Sequence, residues 1–461
     1  MKKAKILSLV EHQRFTKENI RKCGLNERES EKIFKELEDF VQDERRKDFL
    51  TFHNKGVLKA RNYVGIIQTK SGFTLEILPK ITKDNESVKC KCQSPYKSDS
   101  KKLQNDIESF YETLISKEEL SNKESNKIEE SCAYCHSKSV FLNCLKTLPN
   151  MPFKSDDFAN LKAHKLPLLE IFISMFLTEL DNLIKKGIKS NYIQREENRK
   201  FLKGKLLFSE HLKTNLIHKE RFFTSSDEHL SDIAPNRLIV STLLKLSKMQ
   251  VSGQTSTKLM QSRFIFDGIP KSEDYTSDFE KSKITRVLKD YHLILQWCEL
   301  FLQNQSFMQN SGESECLTLL FDMNTLFESF VAYHLKKLDS KNIIAQSSSK
   351  YLAKDSNGQN IFMLKPDLWI KNQNIICDTK WKIINDKKEE KYGISQSDMY
   401  QMWAYATKFK AKKIVLIYPL CEATKNLGIP YEHLEFKADE EVKVYIRFFP
   451  LDSQQQIAKM L

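Results

Sequence analysis

Hydrophobic and polar positions change period several times along the chain, and each change marks an element. NYVGIIQTKSGFTLEILPKI (62–81) holds two apolar runs joined through Thr69-Lys70-Ser71-Gly72, which predicts a β-hairpin. Residues 83–131 then turn polar and rich in Lys, Ser, Asn and Glu, as in SKEELSNKESNKIEES. Such a stretch predicts an exposed helix or a poorly ordered insertion. From Pro167 the apolar residues recur at helical spacing as far as Gly187, which is placed as a C-terminal stop. NRLIVSTLLKLSKM, beginning at Asn236, and RVLKDYHLILQWCELFLQN (286–304) repeat that spacing. The stretch between the first two helices, 192–237, is basic and contains aromatics. Beyond residue 311 the pattern changes again. MNTLFESFVAYHLKKL (323–338) and DMYQMWAYATKF (398–409) have helical period, while 361–370, 374–381, 412–420 and 442–449 have the length and composition of strands. The expected organisation is a β-containing N-terminal domain (1–165) with a polar insertion at about 83–145, a mostly helical middle region (166–310), and a compact α/β domain at 311–461.

Composition narrows the class. With 40% hydrophobic and 29% charged residues among 461, the chain reads as globular rather than disordered. Lys and Arg number 74 against 61 Asp and Glu, a net charge of +13, which suits a polyanionic partner such as nucleic acid and equally suits a lysine-rich surface. The most apolar stretch, LPLLEIFISMFLTEL (166–180), carries Glu170 and Glu179 and is too short for a bilayer, so no membrane role is expected. MKKAKILSLVEHQRF reaches charge after only a few apolar residues, unlike a signal peptide, and a cytoplasmic location is expected. Ten scattered cysteines then point to reduced thiols or a metal site rather than disulfides.

The candidate chemistry sits in LKPDLWIKNQNIICDTKWK (364–382), where two runs made for burial each carry an acid. Residues i and i+2 of a strand share a face, so Asp378 and Lys380 project together, while Cys377 and Thr379 face the other way. If 361–370 pairs with 374–381, Asp367 approaches the same point. Two converging carboxylates repel unless a cation lies between them, and Mg²⁺, which takes hard oxygen ligands and keeps several waters, suits the place. Lys380 beside it could orient or help deprotonate a water and stabilise charge growing on phosphate. Glu328, on the polar side of the preceding helix, could add a carboxylate, and Gln401 and Tyr405 share one helical face from which they could meet phosphate or the metal's water shell. A strand-end salt bridge would use the same three residues, Asp367, Asp378 and Lys380, without chemistry. The parts otherwise serve metal-dependent phosphodiester hydrolysis.

PD, DTK and a helical Gln-xxx-Tyr in this order resemble the PD-(D/E)xK nuclease superfamily. FDMNTLFESFVAYHL, LKPDLWI, ICDTKWK and DMYQMWAYA resemble, in order and spacing, the McrC family, the nuclease subunits of McrBC-type restriction systems. ILPKI (77–81), ENRKFLKGKL (197–206) and DEHLSDIAPNRLI (227–239) resemble the upstream part of that family. The resemblance implies a PD-(D/E)xK endonuclease domain with a mixed sheet flanked by helices, Mg²⁺-dependent cleavage of double-stranded DNA, and Asp367, Asp378, Lys380, Glu328, Gln401 and Tyr405 as its site. It also implies a separate McrB-like AAA+ GTPase hexamer, whose channel receives the N-terminal part of the McrC subunit and whose GTP hydrolysis is stimulated. The chain has no G-x-x-x-x-G-K-[ST]; Gly204-Lys205 is followed by leucines, so the motor belongs to another chain. Two further readings are a stand-alone repair or recombination nuclease of the superfamily and a non-catalytic activator subunit; the intact Asp367, Asp378 and Lys380 argue against the second.

Cys90-Lys-Cys92 and Cys132-Ala-Tyr-Cys135 flank the polar insertion. Two close pairs of thiolates could close a tetrahedral structural Zn²⁺ site that pins the ends of a loop with little core of its own.

Overall fold

A computed structural model describes residues 5–81, 100–115, 132–149, 151–153, 166–283, 288–303, 317–347, 350–385, 387–421, 424, 433–436 and 439–452. Among them no helix is long and apolar enough to cross a membrane. Two compact units form: one spans Leu169–Gln305, and the other joins Lys5–Leu168 to Ser306–Leu461.

The joined unit begins with β1 (Ile6–Val10) and a three-stranded sheet of β2 (Arg14–Phe15), β3 (Leu50–Asn54) and β4 (Val57–Ala60), in the order β2-β4-β3. The helix Glu27–Gln42 starts where Asn26 accepts from the Glu29 backbone N–H at 2.8 Å while Glu29 reaches back to the Asn26 N–H at 3.1 Å. That reciprocal cap satisfies two of the first turn's orphan donors. Its Ile33, Phe34, Leu37, Phe40 and Val41 are buried, and they pack in one core with Leu9, Phe15, Leu50, Leu58 and Ile77. The expected hairpin is present as β5 (Tyr63–Gln68) and β6 (Thr74–Leu78), antiparallel, its turn closed by Thr69 N–H to Phe73 O at 2.9 Å.

The segment read as an insertion, about 83–145, contributes two core helices. Ser100–Ile115 buries Leu103, Ile107, Phe110 and Leu114 along one stripe, and Ala133–Leu145 buries Val140, Phe141, Cys144 and Leu145. In Ser100–Ile115 a single apolar stripe leaves the composition polar, which is why the sequence hides that helix. Residues 82–99 and 116–131 lie outside the described residues.

In the middle unit, the helices Leu168–Lys186, Ala234–Ser247 and His292–Leu302 fall on the three helical patterns of the sequence, and Gly253–Ile265 and Tyr275–Lys281 are further helices that no pattern marked. They accompany a three-stranded sheet the pattern does not predict, with β7 (Asn191–Arg199) pairing β9 (Phe222–Leu230) and β8 (Lys205–Leu206) on the other edge of β9. The QREENR part of β7 is too polar to read as a strand; its pairing rests on backbone hydrogen bonds and on ion pairs such as Arg199–Glu228 at 2.8 Å.

The chain returns to the joined unit at β10 (Leu317–Asp322), which pairs with β5 to give the sheet β1-β6-β5-β10. Gly65 permits this contact: at φ +135° it has no side chain, and a Cβ there would lie 2.0 Å from the Leu319 carbonyl oxygen. The N-terminal and C-terminal segments therefore share a sheet. The second sheet has the order β11-β14-β15-β16-β18-β17, formed by β11 (Ile343–Ala345), β14 (Leu368–Ile370), β15 (Ile375–Thr379), β16 (Lys413–Leu420), β17 (His433–Phe436) and β18 (Asp439–Pro450). β15, β16 and β18 run parallel and the other pairs antiparallel, so the sheet is mixed. On one face the helix Gln396–Phe409 buries Met402, Tyr405, Ala406 and Phe409 against Ile376, Leu416, Tyr418 and Ile446. On the other, Phe330 of the helix Met323–Leu338 and Phe110 both meet Phe449 edge-on, at 5.8 and 4.9 Å. The run 361–370 is not one strand. β13 (Asn360–Leu364) pairs with β12 (Lys350–Lys354) in an exposed ribbon, and β14 starts afresh after Lys365-Pro366-Asp367, where Pro366 supplies no N–H to continue a ladder.

Candidate active site

Asp378 and Lys380 stand at the C-terminal end of β15, and their side chains form an ion pair, as the shared strand face requires. β15 lies between β14 and β16, with Asp378 opposite Leu416, so Asp378 is only 1% exposed while Lys380 stays 19% exposed. Asp367 precedes β14 and turns toward the end of β15: its Oδ2 accepts from the Thr379 N–H at 2.7 Å and from the Thr379 hydroxyl at 2.6 Å. The helix Gln396–Phe409 is capped by Ser395, whose hydroxyl accepts from the Asp398 N–H at 3.2 Å. One turn in, Lys380 Nζ donates to Gln401 Oε1 at 3.1 Å, Gln401 Nε2 donates to the Tyr405 hydroxyl at 2.8 Å, and that hydroxyl donates to Lys365 O at 3.1 Å. The four-residue spacing brings Gln401 and Tyr405 onto one face, but their polar atoms hold Lys380 and the Lys365 backbone rather than facing outward. Glu328 accepts from Gln346 Nε2 at 2.6 Å, and the Gln346 N–H in turn donates to the Asp367 carbonyl at 2.8 Å.

The electrostatics follow from burial. Asp378 is pushed up to about 7, first by burial and then by the charge of Asp367, with Lys380 opposing. Asp367 is raised by burial against its bonds from Thr379, and Glu328 is raised by burial and by Asp367. Burial alone would lower the Lys380 ammonium, yet the Asp378 carboxylate beside it holds it above its ordinary value. The charge of Asp367 thus raises both Asp378 and Glu328, while the Lys380 ammonium opposes at all three acids and Lys365 at Asp367 and Glu328. Asp378 Oδ1 is buried and has no hydrogen-bond partner. A buried carboxylate oxygen left open is costly unless a cation or donor meets it. Among the described residues no three His, Cys, Asp or Glu side chains are drawn together as a metal-ligand set. For Mg²⁺ that is no obstacle, because it binds through one or two carboxylates and completes its shell with water and substrate phosphate. Asp367 and Asp378 fit such an ion.

Several residues of this cluster carry no motif. Thr379 is the middle letter of DTK, yet its backbone and hydroxyl both orient Asp367. Gln346, with φ +51°, holds Glu328 from a loop with no sequence signal at all. Lys382, two residues past Lys380, bonds Asp398 at 2.8 Å and so ties the strand exit to the start of the Gln401 helix. Of the cysteine cluster, Cys132 precedes the helix Ala133–Leu145 and Cys135 is buried in its first turn, while Cys90 and Cys92 lie outside the described residues.

A family model described as "McrBC 5-methylcytosine restriction system component" matches residues 58–419. Among solved structures, a chain of the refined half-complex from the tetradecameric assembly of Thermococcus gammatolerans McrB AAA+ hexamers with bound McrC is similar at a TM-score of 0.60 and 20% identity, covering 98% of this chain and 97% of that one. A cryo-EM structure of the Thermococcus gammatolerans McrBC complex follows at a TM-score of 0.45 and 19% identity, covering 75% and 90%. No curated protein matches.

Proposed function

The chain belongs to the McrBC 5-methylcytosine restriction-system component family, and from that premise we propose that it is the nuclease subunit of such a system, a PD-(D/E)xK enzyme that hydrolyses DNA phosphodiester bonds with Mg²⁺. The observation that carries this reading is the open, buried Asp378 Oδ1 beside Asp367 and Lys380. A structural salt bridge needs neither the second acid nor an unpartnered oxygen. Asp367 and Asp378 would hold the ion, with Glu328 available to its water. Bound there, Mg²⁺ supplies Lewis-acid stabilisation of charge on the phosphate. Lys380, fixed between Asp378 and Gln401, orients the attacking water and faces the charge that develops on the phosphate as the water oxygen bonds to phosphorus and the bond to the departing sugar oxygen breaks, that oxygen leaving protonated from solvent. Thr379 keeps Asp367 aimed, and Tyr405 keeps Gln401 aimed. The partner in this reading is a separate McrB-like AAA+ hexamer, as the name of the structurally similar assembly suggests; that the partner is a GTPase whose hydrolysis this chain stimulates is what the family resemblance implies. The test pairs DNA cleavage with GTPase stimulation. Asp378→Ala and Lys380→Ala should each lower cleavage by about 10²–10⁴-fold, the usual share of positioned acid–base and charge-stabilising groups. Stimulation should persist. Cleavage retained in either variant would overturn the site assignment.

A further inference from the structure

Some 370 positions upstream of Trp381, Glu11 follows β1 at the heart of the joined unit. Its N–H donates to Leu78 O at 3.0 Å, which fixes its main chain to β6. The side chain is 1% exposed. Oε1 accepts from the Lys80 N–H at 2.9 Å and from the indole N–H of Trp381 at 2.5 Å, and Oε2 has no partner. Burial pushes the carboxyl up to about 7, so the position is held against a real desolvation cost. Trp381 is the residue after Lys380. Its ring also lies against Phe327 at 5.4 Å, and Phe327 is the residue before Glu328. The indole is therefore gripped at both ends, by Glu11 and by Phe327, and the residues it holds in place are the chain neighbours of two site residues.

We infer that Glu11 is a positioning residue of the proposed nuclease site, fixing the main chain at Lys380 through its hydrogen bond to Trp381. The inference rests on the nuclease reading above. Glu11 touches neither metal nor phosphate; it acts by removing freedom from the strand exit that carries Lys380, as residues supporting a site's ligands do in metal centres.

The experiment measures Mg²⁺-dependent DNA cleavage by the full-length chain with its AAA+ partner, separating kcat from KM for DNA, alongside thermal melting of each variant. Trp381→Phe keeps the ring and removes only the indole donor; Glu11→Ala removes the acceptor; Glu11→Gln keeps an amide oxygen that can still accept. Supporting residues of this kind cost about 10–100-fold when lost. Trp381→Phe and Glu11→Ala should each lower kcat within that range with KM unchanged, Glu11→Gln should stay within about threefold of wild type, and the Ala/Phe double variant should fall no further than either single, as expected when two residues act through one bond. A merely structural Glu11 would lower the melting temperature and scale activity with folded fraction, leaving kcat per folded molecule at the wild-type value; that outcome, or additive losses in the double variant, would overturn the inference. If Glu11→Ala does not fold, Trp381→Phe and Glu11→Gln decide it. Wild-type protein that cuts no DNA overturns the nuclease reading itself, and the inference with it, whereas wild-type cleavage with an unaffected Trp381→Phe overturns the inference alone.

Discussion

Replacing Asp378 by Asn offers a way to question the metal site without any nuclease assay. In metal-free protein the buried carboxyl is raised from 3.8 to about 7 by burial and by Asp367. At ~1.4 kcal/mol per pH unit that corresponds to ~4 kcal/mol. The sign follows from where the proton sits. Below the ordinary value of 3.8 the group is protonated folded or unfolded, and ionisation costs the fold nothing. As pH rises the unfolded chain releases the proton first, so stability falls until the folded form also ionises near 7, and above that the whole cost is present. A neutral amide at this position carries no such cost. Asp378→Asn should therefore gain on wild type by up to ~4 kcal/mol at about pH 8 in a chelator, and by only ~1 kcal/mol at about pH 4.5, where the proton is still mostly bound. The observed gain falls below that ceiling because Lys380 loses its ion partner, although Gln401 continues to accept from it. Urea unfolding at the two pH values reads the difference directly. Adding Mg²⁺ at about pH 8 should stabilise wild type and leave the variant unmoved, since binding to the folded form alone stabilises it by mass action. If Asp378 is instead one half of a structural salt bridge, the variant is less stable at the higher pH and Mg²⁺ acts on neither protein, which would refute a metal at Asp378.

Three more outcomes follow from the same contacts. Gln401→Leu removes the acceptor that holds Lys380 and should lower cleavage by about 10–100-fold with little change in DNA affinity, measured by single-turnover kinetics; unchanged turnover would show that Lys380 needs no such support. A fragment restricted to residues 311–461 strips β10 from β5 and uncovers Leu317, Leu319, Leu320 and Phe321, each at most 3% exposed; at ~1.5–3 kcal/mol apiece this is ~6–12 kcal/mol, comparable with a domain's whole stability, so the fragment should show no cooperative melt by circular dichroism. If the two cysteine pairs hold zinc, elemental analysis of protein purified without added metal should find about one zinc per chain, lost in Cys132→Ser with Cys135→Ser; zinc-free wild type would end that proposal.

What the sequence made legible was local. Asp378 and Lys380 share a face because strands have a period of two, and Gln401 and Tyr405 share one because helices have a period of 3.6, so a few letters place each pair. The hairpin at 62–81 and the helix at 323–338 were legible for the same reason. Legibility failed where the stabilising partner lies far away in the chain. Nothing near Leu317 says that its strand will pair with Gln68, and nothing in ILSLVEHQRF says that Glu11 will accept a hydrogen bond from an indole beside DTK. It failed also where composition and role diverge, as in the polar helix Ser100–Ile115 with its single buried stripe and in β7, whose charges are satisfied by neighbours across the ladder.

That division has a physical consequence for the site. Local period places Asp378 beside Lys380, and the pairing of β14 with β15 brings Asp367 to the same strand end, but neither can keep them there, because crowding buried carboxylates raises the free energy of the fold. The supports come from both ends of the chain. Asp322 caps the helix that carries Glu328, and its Oδ1 accepts from Asn62 Nδ2 at 2.8 Å; the Met323 N–H donates to Asn62 O at 3.0 Å; and Glu11 holds Trp381. Each is a contact from residues 5–168 onto the element that presents a site residue. The N-terminal segment is thus part of the frame of the acidic cluster, through Glu11 on Trp381 and Asn62 on Asp322 and Met323.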